Sequence, residues 1–187
     1  MLAEKQERIL LGVIVIALIF LFRKTFKNLA MEVVNQTWDV VSDRRINTLH
    51  PIIRQDARAF INAAAAEGIK LRVVSALRTF EEQQKIYNQG RVTPGRIVSN
   101  AKPGTSFHNY GLAIDVVEIK DGKALWENPR WNRIAEIGKS FGFFWGGDFR
   151  SFKDRPHFEK SFGFSTRELL AKRQGGLITP DGYVNVA

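Results

Sequence analysis

Two short strings hold the residues whose types and spacing could do chemistry: Ser106-Phe-His108-Asn-Tyr-Gly111-Leu-Ala113-Ile-Asp115 and Asp154-Arg-Pro-His157-Phe-Glu159. The chain has only three histidines, and two of them lie near a carboxylate in these strings. Two imidazoles and one carboxylate form the ligand set of a catalytic zinc, three protein donors with a fourth position open for water. His108, Asp115 and His157 are the candidate ligands. Such a site also needs a general base, and Asp154 is left over to serve as one.

Each residue has a plainer reading. Asp115 stands between Ile114 and Val116-Val117, where a charge is costly unless it is paired or metal-bound. The alternative there is a buried salt bridge. His108 follows a Pro-Gly loop and precedes Gly111, so a turn can return it over a strand; alone, it would read as a loop histidine. His157, between Pro156 and Phe158, has a structural role as its alternative. Asp154 is either the base or a group that orients a histidine ligand. Glu159 supports the histidine or the fold, and Asp148 is a rival carboxylate. Arg78 lies between a strand end and a helix start. A fixed cation there is worth most where negative charge develops; the alternative is a surface ion pair. Ser106 is a candidate hydrogen-bonding contact to substrate. Gln83 and Tyr87 share a helix face, suited to cleft lining or to packing. Trp145 belongs to the core or walls the cleft. His50, before Pro51, reads as a helix cap.

These groups need a scaffold. His50-Pro51 opens a helix that ends at Gly68. Ile69, Leu71 and Val73 begin a strand. Thr79 and Glu82 form a capping box for a helix that stops near Gly90. Residues 91–104, with Pro94, Gly95, Pro103 and Gly104, are loop. Leu112–Ile119 is a strand carrying Asp115, and Asp121-Gly122 turns it into Ala124–Trp126. Asn128-Pro129 starts a helix ending before Gly142. Short strands follow at Phe143–Phe149 and Pro156–Glu159, then a helix capped by Ser165 and Glu168. Gly175-Gly176 begins a tail with no clear element. The expected class is α+β: helices on a small, mostly antiparallel sheet, plus an N-terminal transmembrane helix. The expected divisions are 1–30, membrane anchor; 31–172, catalytic domain; and 173–187, tail.

The anchor expectation rests on Ile9–Phe22, an unbroken apolar run bounded by Arg8 and by Arg23-Lys24. As a helix it spans roughly 21 Å, short of a bilayer core of about 30 Å, but basic flanks can snorkel. A cleaved signal peptide is the competitor, yet no A-x-A-like site follows the run. A buried core helix is the third reading. Residues 24–41 read as an amphipathic connector. The basic flanks lean slightly towards a cytoplasmic C-terminal domain. The net charge of +9 suits an anionic partner or is simply a solvated surface, since no block of five Lys or Arg occurs. Cysteine is absent, which excludes disulfides and thiolate metal sites. Oligomeric state is not legible.

The first string resembles the S-x-H-x-x-G-x-A-x-D motif of the zinc peptidases that cut peptidoglycan stem peptides, a group holding D-alanyl-D-alanine carboxypeptidases and L-alanyl-D-glutamate endopeptidases. All five fixed positions match: Ser106, His108, Gly111, Ala113 and Asp115. The second string is similar to the D-x-P-H-F-E form of the L-alanyl-D-glutamate branch. Further matches are Ser75-Ala-Leu-Arg78-Thr, Glu82-Gln83, Tyr87-Asn-Gln-Gly90-Arg91 and Trp145-Gly-Gly-Asp148-Phe, so the resemblance covers roughly residues 42–163. It implies zinc on His108, Asp115 and His157, a catalytic carboxylate at Asp154, and Arg78 as substrate or oxyanion contact. It implies hydrolysis of the L-alanyl-D-glutamate bond, with D-Ala-D-Ala cleavage as the alternative. The expected location is membrane-anchored, in a bacterial inner membrane or a virion membrane, with the catalytic domain reaching the periplasm or cell wall. Two readings of other classes compete: an inactive, hedgehog-like binding module, and a basic membrane or virion structural protein that binds nucleic acid. The first lacks the missing ligand it would predict. The second leaves both strings unexplained, so nucleic acid is not the expected partner.

Overall fold

The computed structural model describes residues 20–25 and 40–186. The chain divides into two compact units, residues 1–40 and 41–187. The first is described at 20–25, which is helical. No helix among the described residues is long and apolar enough to cross a membrane. This corrects the expectation of an N-terminal transmembrane helix. The helical stretch at 20–25 rises only about 9 Å at 1.5 Å per residue, and residues 9–19 of the apolar run lie outside the described residues. So do residues 26–39 of the expected connector.

The second unit is a five-stranded antiparallel sheet with helices packed against it. In chain order it runs α1 (Pro51–Ala66), β1 (Leu71–Ser75), α2 (Phe80–Asn88), a 3-10 turn (Phe107–Tyr110), β2 (Ala113–Lys120), β3 (Lys123–Leu125), α3 (Trp131–Ser140), β4 (Phe144–Trp145), a second 3-10 turn (Gly146–Asp148), β5 (His157–Glu159) and α4 (Thr166–Gln174). The strand order is β1-β2-β5-β4, with β3 pairing beyond the β5 contact on β2. The core lies under α1 and α3, where Ile53, Phe60, Ile134 and Phe158 are fully buried. Burying each of these side chains is worth about 1.5–3 kcal/mol.

Local chemistry sets the helix starts. Pro51 occupies the first turn of α1, and His50 Nδ1 accepts from the Ile52 N–H at 3.3 Å. Thr79 with Glu82 and Ser165 with Glu168 form complete capping boxes at α2 and α4. The hairpin turn has Asp121 and Gly122 both at positive φ, as a two-residue type I′ turn requires.

Three elements depart from expectation. The helix expected from Asn128 starts at Trp131, because Asn128 is drawn inward to donate to the buried Glu118 at 2.6 Å. The strand expected over Phe143–Phe149 is only Phe144–Trp145, since Gly146-Gly147 turns the chain into a 3-10 segment. The expected tail starts inside α4 and then folds back. Ile178 bridges Val184, Val184 and Val186 are buried, and the Val184 carbonyl accepts from His50 Nε2 at 3.0 Å.

Candidate active site

Strand register builds the centre of the site. Asp115 on β2 pairs with Ser75 of β1 on one side and with His157 of β5 on the other. Side chains at paired positions share a face, so the Asp115 carboxylate and the His157 imidazole meet on the same side of the sheet. His108 arrives from the 3-10 turn over Phe107–Tyr110. That turn is capped at its start by Ser106, whose hydroxyl accepts from the His108 N–H at 3.3 Å. It closes at Gly111, whose φ of 68° is left-handed. A Cβ on Gly111 would also come within 2.7 Å of the His50 amide nitrogen. The glycine therefore sets the angle at which the histidine returns to the sheet.

Three donor atoms converge. His108 Nε2 lies 3.1 Å from Asp115 Oδ1 and 3.2 Å from His157 Nδ1, and His157 Nδ1 lies 3.1 Å from the same carboxylate oxygen. The outer nitrogens fix the tautomers. His108 Nδ1–H donates to the Ala76 carbonyl at 2.7 Å, and His157 Nε2–H donates to Glu159 Oε2 at 2.7 Å. In the neutral rings, both inner nitrogens are then lone-pair donors aimed at one point. Ligands about 2.0–2.1 Å from a tetrahedral zinc stand about 3.3 Å apart, close to the spacing found here. Neutral imidazoles outwardly hydrogen-bonded to a carbonyl and a carboxylate are the usual partners of such an ion. The donor set fits a metal cation.

The electrostatics agree. Burial opposes ionisation of Asp115, but the two histidines outweigh it and hold the carboxyl well below the usual range. Burial also disfavours a charged His157, yet hydrogen bonds to Asp115 and Glu159 raise it to about 10, so its inner nitrogen holds a proton that a metal cation at the same point would displace. The site attracts positive charge to that point.

Around the donors lies a cleft of about 670 Å³, lined among others by Arg78, Ser99, Ser106, Phe149, Arg150, Asp154 and Glu159. Arg78 is held tightly: Nη2 donates to Ser75 Oγ at 2.9 Å, Nη1 donates to Gln83 Oε1 at 3.1 Å, and Nη2 lies 3.5 Å from Asp115 Oδ2. Asp154 lines the cleft but is not one of the converging donors. Burial, then the nearby Asp115 charge, raise its pKa above the ordinary value; His157, His108 and Arg78 pull the other way and do not prevail.

The other singled-out residues lie as follows. Ser106 lines the cleft while capping the 3-10 turn. Gln83 is fully buried and absent from the cleft lining; its amide donates to Ser99 Oγ and the Ala101 carbonyl while its oxygen holds Arg78. Trp145 is buried beside the site, its indole N–H donating to the Arg155 carbonyl at 2.7 Å. Asp148 pairs with Lys139 at 2.5 Å and does not line the cleft. Glu159 orients His157. His50 caps α1.

Two contributors lie within the matched strings, but the sequence assigns them no role. Ser75 supports Arg78, and only the register opposite Asp115 reveals it. Phe149 lays its ring 5.8 Å from that of His157 and stacks on Phe144 at 5.6 Å. Nothing in the sequence distinguishes it from a core aromatic.

Comparison with known proteins matches the sequence to one family. The family model VanY, D-alanyl-D-alanine carboxypeptidase, matches residues 46–155. CwlK of Bacillus subtilis (strain 168), a peptidoglycan L-alanyl-D-glutamate endopeptidase, is 45% identical over 121 residues, covering 59% of this chain and 72% of that protein. The L-alanyl-D-glutamate peptidase of Listeria phage A118 is 28% identical over 125 residues, 65% of this chain but only 41% of the phage protein. The crystal structure of the Serratia marcescens L-Ala D-Glu endopeptidase ChiX is similar with a TM-score of 0.49 and 24% identity, covering 65% of this chain and 87% of that one. The matched segment carries His108, Asp115, Arg78 and Asp154 of the site just described, and the chain belongs to the VanY (D-alanyl-D-alanine carboxypeptidase) family.

Proposed function

We propose that this protein is a zinc-dependent peptidase that hydrolyses the L-alanyl-D-glutamate bond of peptidoglycan stem peptides, acting at the cell wall in its lysis or remodelling. The observation that carries this reading is the convergence of His108 Nε2, Asp115 Oδ1 and His157 Nδ1 on one point, with both outer ring nitrogens already engaged. The bond assignment is supported by the 45% identity to a B. subtilis enzyme of that specificity.

His108, Asp115 and His157 would hold the zinc. Bound there, the ion supplies Lewis acidity and brings the pKa of a coordinated water to about 7. Asp154 accepts a proton as water adds to the amide carbon. Its burial in the cleft, which disfavours the charged form, leaves the carboxylate poorly solvated and so a better acceptor than an exposed aspartate. Arg78, fixed by Ser75 and Gln83, places its guanidinium where negative charge develops on the carbonyl oxygen. When the C–N bond breaks, Asp154 returns the proton to the departing amine.

The family description favours a second reading, removal of a terminal D-alanine from a D-Ala-D-Ala stem. Mass spectrometry of fragments released from purified peptidoglycan by the zinc-loaded chain separates the two. New N-terminal D-glutamate, with L-alanine left on the glycan, is the expected result. Release of free D-alanine alone would move the assignment to the carboxypeptidase reading. Intact peptidoglycan would overturn both.

A further inference from the structure

The cleft is lined by two cationic side chains, Arg78 and Arg150. Arg78 is committed to Ser75, Gln83 and Asp115. Arg150 makes no hydrogen bond or ion pair with any described residue. It is nevertheless well placed. One carbonyl, Gly146 O, accepts from both Phe149 N at 3.2 Å and Asp154 N at 3.0 Å, so the segment between them is a loop pinned at both ends. The Phe149 ring lies against His157 at one end of the loop, and Asp154 stands at the other. Arg150, Ser151 and Phe152 of this loop line the cleft.

The chemistry of the bond says what such a cation meets. In an L-alanyl-D-glutamate bond whose chain continues through the γ-carboxyl, the α-carboxylate of the glutamate stays free. Its carbon is two bonds from the nitrogen that becomes the leaving amine. Asp154 hands the proton to that same nitrogen, so the leaving residue's carboxylate lies beside the loop that ends at Asp154. We propose that Arg150 is a specificity-determining residue that receives the free α-carboxylate of the leaving residue. The guanidinium fork matches a carboxylate, and its charge would be matched only by a leaving residue whose α-carboxylate is free. This inference rests on the peptidase reading above and on the proton-transfer role given to Asp154.

The test uses two synthetic peptides, N-acetyl-L-alanyl-γ-D-glutamyl-L-lysine and its α-carboxamide counterpart, with the zinc-loaded full chain. The unmutated enzyme is expected to prefer the acid by about 10- to 100-fold in kcat/KM, the usual worth of a charge-assisted hydrogen bond. Arg150→Gln should collapse that ratio to within about 3-fold while zinc content stays at one per chain; Arg150→Lys should keep an intermediate ratio. A merely structural role would lower both rates and leave the ratio intact. An unmutated enzyme indifferent to acid or amide, or an Arg150→Gln enzyme with the original ratio, overturns the inference and leaves the peptidase reading standing. If cleavage falls instead at D-Ala-D-Ala, the acid and amide forms of the terminal residue give the same readout. No cleavage of any of these peptides overturns the peptidase reading, and this inference with it.

Discussion

Asp115 stands directly opposite His157 in the β2–β5 ladder, so one strand register joins a carboxylate and an imidazole 42 residues apart. His108, seven residues before Asp115, is brought to them by a single capped turn. The donor set therefore depends on one non-local pairing and one local turn, and each is open to test.

The first prediction concerns the metal. The purified full chain should bind one zinc, and His108→Ala or His157→Ala should reduce binding to background, because two donors do not hold the ion against competing water. Elemental analysis after dialysis reads the outcome. No zinc in the unmutated protein, even after it is supplied, would refute the assignment of the donor set.

Asp154 should be dispensable for metal and needed for turnover. Asp154→Asn is expected to keep its zinc and its fold while kcat falls by roughly 10²–10⁴, the range for general acid–base catalysis. If zinc disappears together with activity, Asp154 is a ligand or an orienting group.

Glu159 holds the outer nitrogen of His157 at 2.7 Å. Glu159→Ala should weaken zinc binding by about 10- to 100-fold, the usual effect of removing a ligand's outer partner. Competition against a chelator of known affinity measures it. Unchanged affinity would show that Asp115 and the peptide frame orient the ring unaided.

Gly146 is packed so closely that a Cβ would lie 2.5 Å from the Asp154 carbonyl and 2.9 Å from His157 Cβ. Gly146→Ala should destabilise the domain by about 1–3 kcal/mol, the range for overpacking. It should also lower kcat through displacement of Asp154. Thermal unfolding and single-turnover rates give the two readings, and a normal value in both would mean that the segment yields without cost.

His50 predicts a pH effect on stability. Its burial, with Arg54 nearby, pushes its pKa below 6.5, and the hydrogen bond to Val184 only partly opposes this. Above pH 6.5 the ring is neutral in both folded and unfolded chains. Below it the unfolded chain takes up the proton more readily, so stability falls as pH drops through 6.5. His50→Asn retains a helix-capping residue but removes the titration. The melting-temperature advantage of the unmutated protein over the variant should therefore shrink between pH 7.5 and pH 5.5. A constant or growing advantage would contradict the neutral, buried state.

Much of this was written locally. The capping boxes at Thr79 and Ser165, the proline of α1 and the Asp121-Gly122 turn act within four residues, so they read directly from the chain. The candidate ligands were also legible, because a charged Asp115 inside an apolar strand and two histidines beside carboxylates demand a partner that no apolar core supplies. The length of β4, the inward pull of Asn128 by Glu118, and the folding of residues 177–186 against His50 were not legible, since each depends on a partner distant in sequence. Gln83 shows the difference at the site itself. Its position on a helix face with Tyr87 suits a cleft contact or packing equally, and only packing against Ser99 and Ala101 turns it inward to brace Arg78. Residue types and near-neighbour spacing thus determined which groups could do the chemistry. Strand register and burial, which sum contacts across the whole domain, decided which of them face the cleft and which hold the others in place.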